Sequence, residues 1–291
     1  ALTGNNPITT PIMVNGNDTY YYSIHYQDPN NPNNPLNSCR QTGNFKFILG
    51  VITPQNSTLY ACNNNGQGTA TFNLTSANVY PAEPTATKKY YLTLNDLNAD
   101  INEITNPLNY VSAEKTIYVK VINSGNCAGI GEIYLKFHPE VKLYENTIKS
   151  CFIEGNITYA VFDLTTANVT SQTGNTFKYY KTLAEALAEA NPIVNAHTYT
   201  SQDGFVYVRA TNEKGCFAIT KITLKVTAPI KSSVLKDKVI CFESRTTLDA
   251  GPGFDGYEWN TGAKTQAIQG VAVGTYWVKL KTGSCTTYQE V

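Results

Sequence analysis

At roughly 100 to 200 residues per domain, a chain of 291 residues is expected to hold more than one unit. Its 22 basic residues are balanced by 22 acidic ones, which leaves no global field to draw it to nucleic acid or an anionic membrane surface. No apolar run approaches the ~18 residues of a membrane span, and the opening ALTGNNPITT has neither the basic nor the apolar part of a signal peptide.

Short runs of alternating polarity, such as TIYVKV, FVYVRA and ITLKV, predict an all-β chain. Residues 1–52 read as the C-terminal half of a β-module. Pro7 to Tyr22 has the spacing of Pro192 to Tyr207, and Cys39 precedes the alternating run NFKFILGV. Between them QDPNNPNNPLN suits an exposed turn-rich loop.

Residues 53–139 form the first complete module and 140–228 the second. Tyr90, Tyr110, Tyr118, Asn123, Cys127, Ile133 and Leu135 recur 89 positions later as Tyr179, Tyr199, Tyr207, Asn212, Cys216, Ile222 and Leu224. Cys62 returns as Cys151, and ATFNLTSANV as AVFDLTTANV. A long fixed period marks an array of modules. Within each, TLNDLNADINE and TLAEALAEA interrupt the β pattern, and Thr182–Ala190 is a helix with a threonine able to cap it. Residues 229–291 are a shorter copy, because Tyr276 precedes Cys285 by nine residues as Tyr118 precedes Cys127. The joints KFHPEVKLY and KVTAPIKSSV each hold a proline, which favours a semi-rigid row. The fold expected is a tandem array of immunoglobulin-like β-sandwich modules, each with one disulfide, two of them carrying a short helical insertion.

Cysteine spacing predicts bonds inside modules: Cys62 with Cys127 and Cys151 with Cys216, both 65 apart, and Cys241 with Cys285. Cys39 is then left over, with a partner expected upstream of Ala1. Both ends of the chain are expected to cut through a module of a longer polypeptide. Such staples belong to an oxidising compartment. Metal binding is disfavoured, since no CxxC occurs and His25, His138 and His197 fall in separate modules without ligand spacing. The alternation of Asp96, Asn98 and Asp100 resembles half a calcium loop, but Ile101 stands where a sharp turn wants glycine, so a solvated helix or turn is the competing reading.

Catalytic signatures such as G-x-S-x-G, H-E-x-x-H or a phosphate-binding glycine loop are absent from the sequence. Glu243, Asp249, Asp255 and Glu258 cluster in the last module, two of them in the turn-rich LDAGPGFDG. Asn-x-Thr triplets begin at Asn17, Asn56, Asn73, Asn156 and Asn168; Asn73 and Asn168 sit in or beside a repeated strand-to-turn motif that accounts for them. Trp259 is expected in the core, while Trp277, on the opposite face from Tyr276 and Val278, is a candidate ligand contact.

ATFNLTSANV, YYLTLNDLNAD, TIYVKVINSGNC and EIYLKF, followed by the Cys241–Cys285 module, resemble the tandem modules of large Bacteroidota surface proteins exported by the type IX secretion system. Many of these are gliding-motility-associated or adhesin-like, and the last module resembles their immunoglobulin-like or PKD-like unit. The resemblance implies a non-enzymatic stalk or adhesin at the outer cell surface, without cofactors. Expected partners are neighbouring modules of the same chain, with a surface glycan or the secretion and outer-membrane machinery as further candidates. Carbohydrate-binding modules of a secreted enzyme are the alternative.

Overall fold

A computed structural model describes residues 18–46 and 50–291. Pro7, Asn17 and Phe47, Ile48 and Leu49 of the NFKFILGV run lie outside the described residues. The chain is all-β, in tandem immunoglobulin-like β-sandwich units, and its cores follow from the 89-residue repeat.

The first strands, β1 (Thr19–His25) and β2 (Arg40–Lys46), form an antiparallel hairpin in which Thr19 faces Lys46 and His25 faces Arg40. At Gly43 a Cβ would lie 2.5 Å from the Tyr22 hydroxyl, so a larger residue there needs the exposed Tyr22 side chain to move aside. The first repeat runs through β3 (Ser57–Ala61), β4 (Ala70–Phe72), β5 (Thr87–Tyr91), helix α1 (Leu94–Ala99), β6 (Tyr110–Ser112), β7 (Lys115–Ile122) and β8 (Ala128–Phe137). Its main sheet has the order β3-β8-β7-β5, and β4 pairs with β6. The second repeat contains β9 (Asn146–Ile153), β10 (Asn156–Phe162), β11 (Thr176–Tyr180), α2 (Leu183–Ala188), β12 (Tyr199–Ser201), β13 (Gly204–Thr211) and β14 (Phe217–Thr227), joined in the order β11-β13-β14-β9-β10-β12. Strand β9 runs parallel to β14, and the other pairings of this sheet are antiparallel.

Alternation supplies the core. On β7 Ile117, Val119 and Val121 are buried, and on β13 their counterparts Val206, Val208 and Ala210. Phe72 and Leu74 correspond to Phe162 and Leu164, again buried. In the shorter third module, β15 (Thr246–Asp249) pairs with β17 (Ala267–Val271), while β16 (Gly256–Trp259), β18 (Trp277–Thr282) and β19 (Cys285–Glu290) form a second sheet. Trp259 lies between them with Leu248, Ile268, Val278 and Leu280, and its indole N–H donates to the Thr265 carbonyl at 2.8 Å.

Both helices are single turns and a half, capped by the threonine before them. Thr182 and Glu185 form a capping box around α2, and Thr93 with Asp96 caps α1. Each ends on a residue with left-handed backbone, Glu189 and Asp100, both at φ 54°.

Contacts divide the chain into two compact units that do not follow the repeat boundaries. One comprises residues up to Leu59, Phe72–Tyr110 and Glu114–Leu135; the other takes Tyr60–Thr71, Val111–Ala113 and Lys136–Val291. The segment after β3, which carries Cys62, thus belongs with the second repeat.

Candidate functional site

The expected pairing inside modules is corrected by the structure: Cys62 is bonded to Cys216 and Cys151 to Cys285. Cys127 and Cys241, expected in disulfides, are free thiols, as is Cys39. Strand geometry gives the reason. Cys151 lies beside Thr227, the last residue of β14, whereas Cys216 immediately precedes its first residue, Phe217. Eleven strand residues separate them, about 35 Å at a rise of about 3.3 Å, while a disulfide needs Cα atoms within about 7 Å. The early and late cysteines of the second repeat sit at opposite ends of its sandwich, so each can bond only to a neighbouring repeat. Taken singly, closing loops of 154 and 134 residues contributes about 5 kcal/mol each on the chain-entropy account.

The late cysteine is presented by a turn that recurs. In the second repeat, the Asn212 side chain accepts from the N–H groups of Lys214 and Cys216, both at 3.0 Å, and Gly215 adopts φ 81°. Asn123 accepts from the Cys127 N–H at 2.8 Å in the same way. The third module uses a shorter turn, in which the Gly283 N–H donates to Asp255 at 2.6 Å. Cys39 likewise immediately precedes a strand, β2.

The early cysteine brings its own partners. Cys62 opens CNNNGQG, and three asparagines follow it. Asn63 is buried, donating to Glu140 and accepting from the Gly68 N–H at 2.8 Å. Asn64 and Asn65 accept from the N–H groups of Phe217 and Ile219 at 2.9 and 3.0 Å. Strand β9 pairs with β14 only from Ile222 onward, so the two side chains satisfy strand-edge donors that no strand reaches. Asn65 takes φ 56°, a backbone state that asparagine tolerates better than most residues. Asn212 also donates to the Pro139 carbonyl at 2.9 Å, tying the turn to the joint. At the second bond Cys151 Sγ lies 3.6 Å from Ser284 Oγ, and the Cα atoms of Cys151 and Cys285 are 5.4 Å apart. The asparagines escaped the sequence reading. Their signal was a break in the repeat, since CNNNGQG stands where the second copy has CFIEGNI.

Asp96 accepts from Thr93 and from Asn102 at 2.8 Å, serving the helix cap. Asp100 is bound by Tyr91, Lys89 and Lys120. Its carboxyl is brought down to about 2, first by the Tyr91 hydrogen bond and next by Lys89. A carboxylate between two ammonium groups is a poor cation ligand, which favours the helix-cap reading of this stretch. His138 stacks on Tyr60 at 5.3 Å and His197 pairs with Asp163 at 3.3 Å. Among the described residues no three His, Cys, Asp or Glu side chains converge.

In the third module Asp249 accepts from Gly251 and Gln266, Asp255 from Gly283, and Glu258 pairs with Lys279 at 3.5 Å. Each of these carboxylates is thus engaged by a turn or an ion pair. Asn56 is held by Tyr134 and the Glu132 N–H, and Asn73 caps a turn at Thr75. Trp277 is half-buried, tilted against Tyr288 at 5.6 Å with the Lys279 ammonium 5.5 Å above its ring.

A family profile described as the Flavobacterium inter-domain disulphide bond domain matches residues 58–141 and again 147–230. The chain belongs to this family. The two matched copies are the ones joined by Cys62–Cys216. No curated protein matches the sequence. Among solved structures, the chain is similar to eight N-terminal Ig domains of Down Syndrome Cell Adhesion Molecule, at 8% identity and a TM-score of 0.21 over 86% of this chain and 44% of that one. It is similar to Sidekick-1 immunoglobulin domains 1–5, at 15% identity and a TM-score of 0.20 over 81% of this chain and 56% of that one. The human Desmocollin-1 ectodomain matches at 11% identity and a TM-score of 0.18, over 94% of this chain and 64% of that one. The chain therefore spans about half the length of the first two structures it matches.

Proposed function

We propose that this chain is a non-enzymatic stalk or adhesin region of an exported protein at the bacterial outer surface, a spacer that offers weak contacts multiplied along its length. The bond between Cys62 of one family copy and Cys216 of the next carries this reading. A bond of this kind persists in an oxidising compartment and fastens modules into a row, which is what a spacer needs. Export by the type IX route and association with gliding rest on the resemblance of the repeated motifs alone. Neighbouring modules of the same chain are accordingly the first partners.

Small-angle scattering of the oxidised chain tests the spacer. A compact protein of this length would have a radius of gyration of about 19 Å. A clearly larger value is expected, and about 19 Å would overturn the reading. A glycan-binding role is the second reading, favoured by the half-exposed pair of Trp277 and Tyr288 on the third module. Glycan binding abolished by Trp277→Ala would support it, and binding that survives this change would remove it.

A further inference from the structure

We propose that the two disulfides turn the repeat array into a pair of interleaved covalent tracks, so that a pull along the chain bypasses the sandwich interiors. Each early cysteine follows the preceding late cysteine closely: Cys39 to Cys62 is 23 residues, Cys127 to Cys151 is 24, and Cys216 to Cys241 is 25. Each bonded early cysteine is joined to the late cysteine of the next repeat. One track runs Cys39, Cys62, Cys216, Cys241; the other runs Cys127, Cys151, Cys285. Residues 63–215 and 152–284 are loops closed by a covalent bond, and tension on a track does not enter the loop it skips.

About half of the residues left on the tracks lie in strands, which are loaded along their own axes. Between Cys216 and Cys241 the track follows the whole of β14, and between Cys127 and Cys151 it follows β8 and most of β9. A β-strand already rises about 3.3 Å per residue, close to the about 3.3 to 3.6 Å limit of a fully extended chain, so little slack remains in it. Helices α1 and α2, the long connections after β4 and β10, and strands β5, β7, β11 and β13 all lie inside the loops, where they keep their packing while the tracks bear the load. This inference concerns the load path and stands apart from the adhesive reading, because the scattering experiment does not probe it.

Single-molecule stretching of the full chain tests it, with handles on the exposed thiols of Cys39 and Cys241 and with Cys127→Ser to leave only those two free. The track between the handles holds 48 residues, 23 before the disulfide and 25 after it, for a taut length of about 170 Å at about 3.6 Å per residue. The one bond within a module that this variant can still form, Cys151–Cys216, would leave 137 residues and about 490 Å; a chain without bonds has 202 residues and about 730 Å. Oxidised protein that stops at about 170 Å, and lengthens more than fourfold on reduction, is the expected result. A limit near 490 or 730 Å before reduction would overturn the proposal. With Cys62→Ser and Cys216→Ser together, the shorter route passes through Cys151–Cys285, and the limit should move to 156 residues, about 560 Å. An unchanged limit there would equally overturn it.

Discussion

The two family copies share a frame of buried residues, yet they solve the same local problem differently beneath their helices. In the first, Leu97 fills the space under α1, and Asp100, at the left-handed residue that ends the helix, gathers Tyr91, Lys89 and Lys120. In the second, the equivalent of Leu97 is Ala186, and the space goes to Arg209, the equivalent of Lys120. Its guanidinium donates to the carbonyls of Ala186 and Leu187 at 3.0 and 3.3 Å, lies 3.5 Å over the Phe217 ring, and reaches Glu189 at 3.5 Å. Satisfying the last-turn carbonyls of a short helix from below is a cap supplied by the sheet. A leucine traded for alanine and a lysine for arginine are thus one coordinated exchange, an apolar plug for a hydrogen-bonded one.

The largest effect should come from removing the apolar plug. Leu97→Ala leaves a cavity that no arginine fills and should cost the first repeat about 2 to 4 kcal/mol. Ala186→Leu crowds Arg209 off the helix carbonyls and should cost the second about 1 to 3 kcal/mol. A chain of several modules does not unfold in one step, so hydrogen exchange resolved by repeat is the measurement. Protection lost equally in both repeats by Leu97→Ala would mean that the two plugs are not local solutions.

A smaller contrast separates the basic residues. Arg209 is 9% exposed, and Arg209→Ala would strand the Ala186 and Leu187 carbonyls, while Glu189 keeps Lys178, costing about 1 to 3 kcal/mol. Lys120 contributes one partly exposed ion pair to Asp100, so Lys120→Ala should cost under about 1 kcal/mol. Equal losses by exchange protection would sink the claim that the exchange of lysine for arginine matters.

The sandwich cores were legible in the sequence because strand alternation and an 89-residue period act on every buried position at once. Ile117, Val119 and their counterparts Val206 and Val208 repeat in type and in burial. The Thr182 cap was legible for a similar reason, since a capping threonine acts on a residue three positions away. The disulfides were not. Equal spacing of Cys62–Cys127 and Cys151–Cys216 is a property of the repeat, and pairing within it or across it preserves that spacing equally well. Only the length and direction of β14, which put Cys151 and Cys216 at opposite ends of one strand, decide between them. The asparagines after Cys62 were hidden for the converse reason. They act on a strand edge more than 150 residues away, as the 153-residue separation of Asn64 and Phe217 shows, and no local pattern records that.

The smallest predicted difference lies in a pair of buried tyrosines with the same position and unlike surroundings. Tyr91 donates its hydroxyl to Asp100, while the Tyr180 hydroxyl has no hydrogen-bond partner, because the longer Glu189 turns to Lys178 and Arg209. Tyr91→Phe should therefore cost about 1 to 2 kcal/mol, as for a bond to a charged acceptor, while Tyr180→Phe should be neutral or slightly stabilising, since it removes a buried polar atom that is unpaired. The pH dependence sharpens the contrast. The Asp100 carboxyl is depressed in the folded chain to about 2, with Tyr91 the leading cause. A depressed carboxylate contributes stability that is present above its unfolded value of about 3.9 and is lost as pH falls through the folded value. The Tyr91→Phe penalty should accordingly be full above about pH 4 and shrink toward pH 2, whereas Tyr180→Phe should show no change across that window. A Tyr91→Phe penalty that is constant from pH 7 to pH 2, read from exchange protection of β5 and α1, would show that the hydroxyl acts through packing and that Asp100 is not its electrostatic partner.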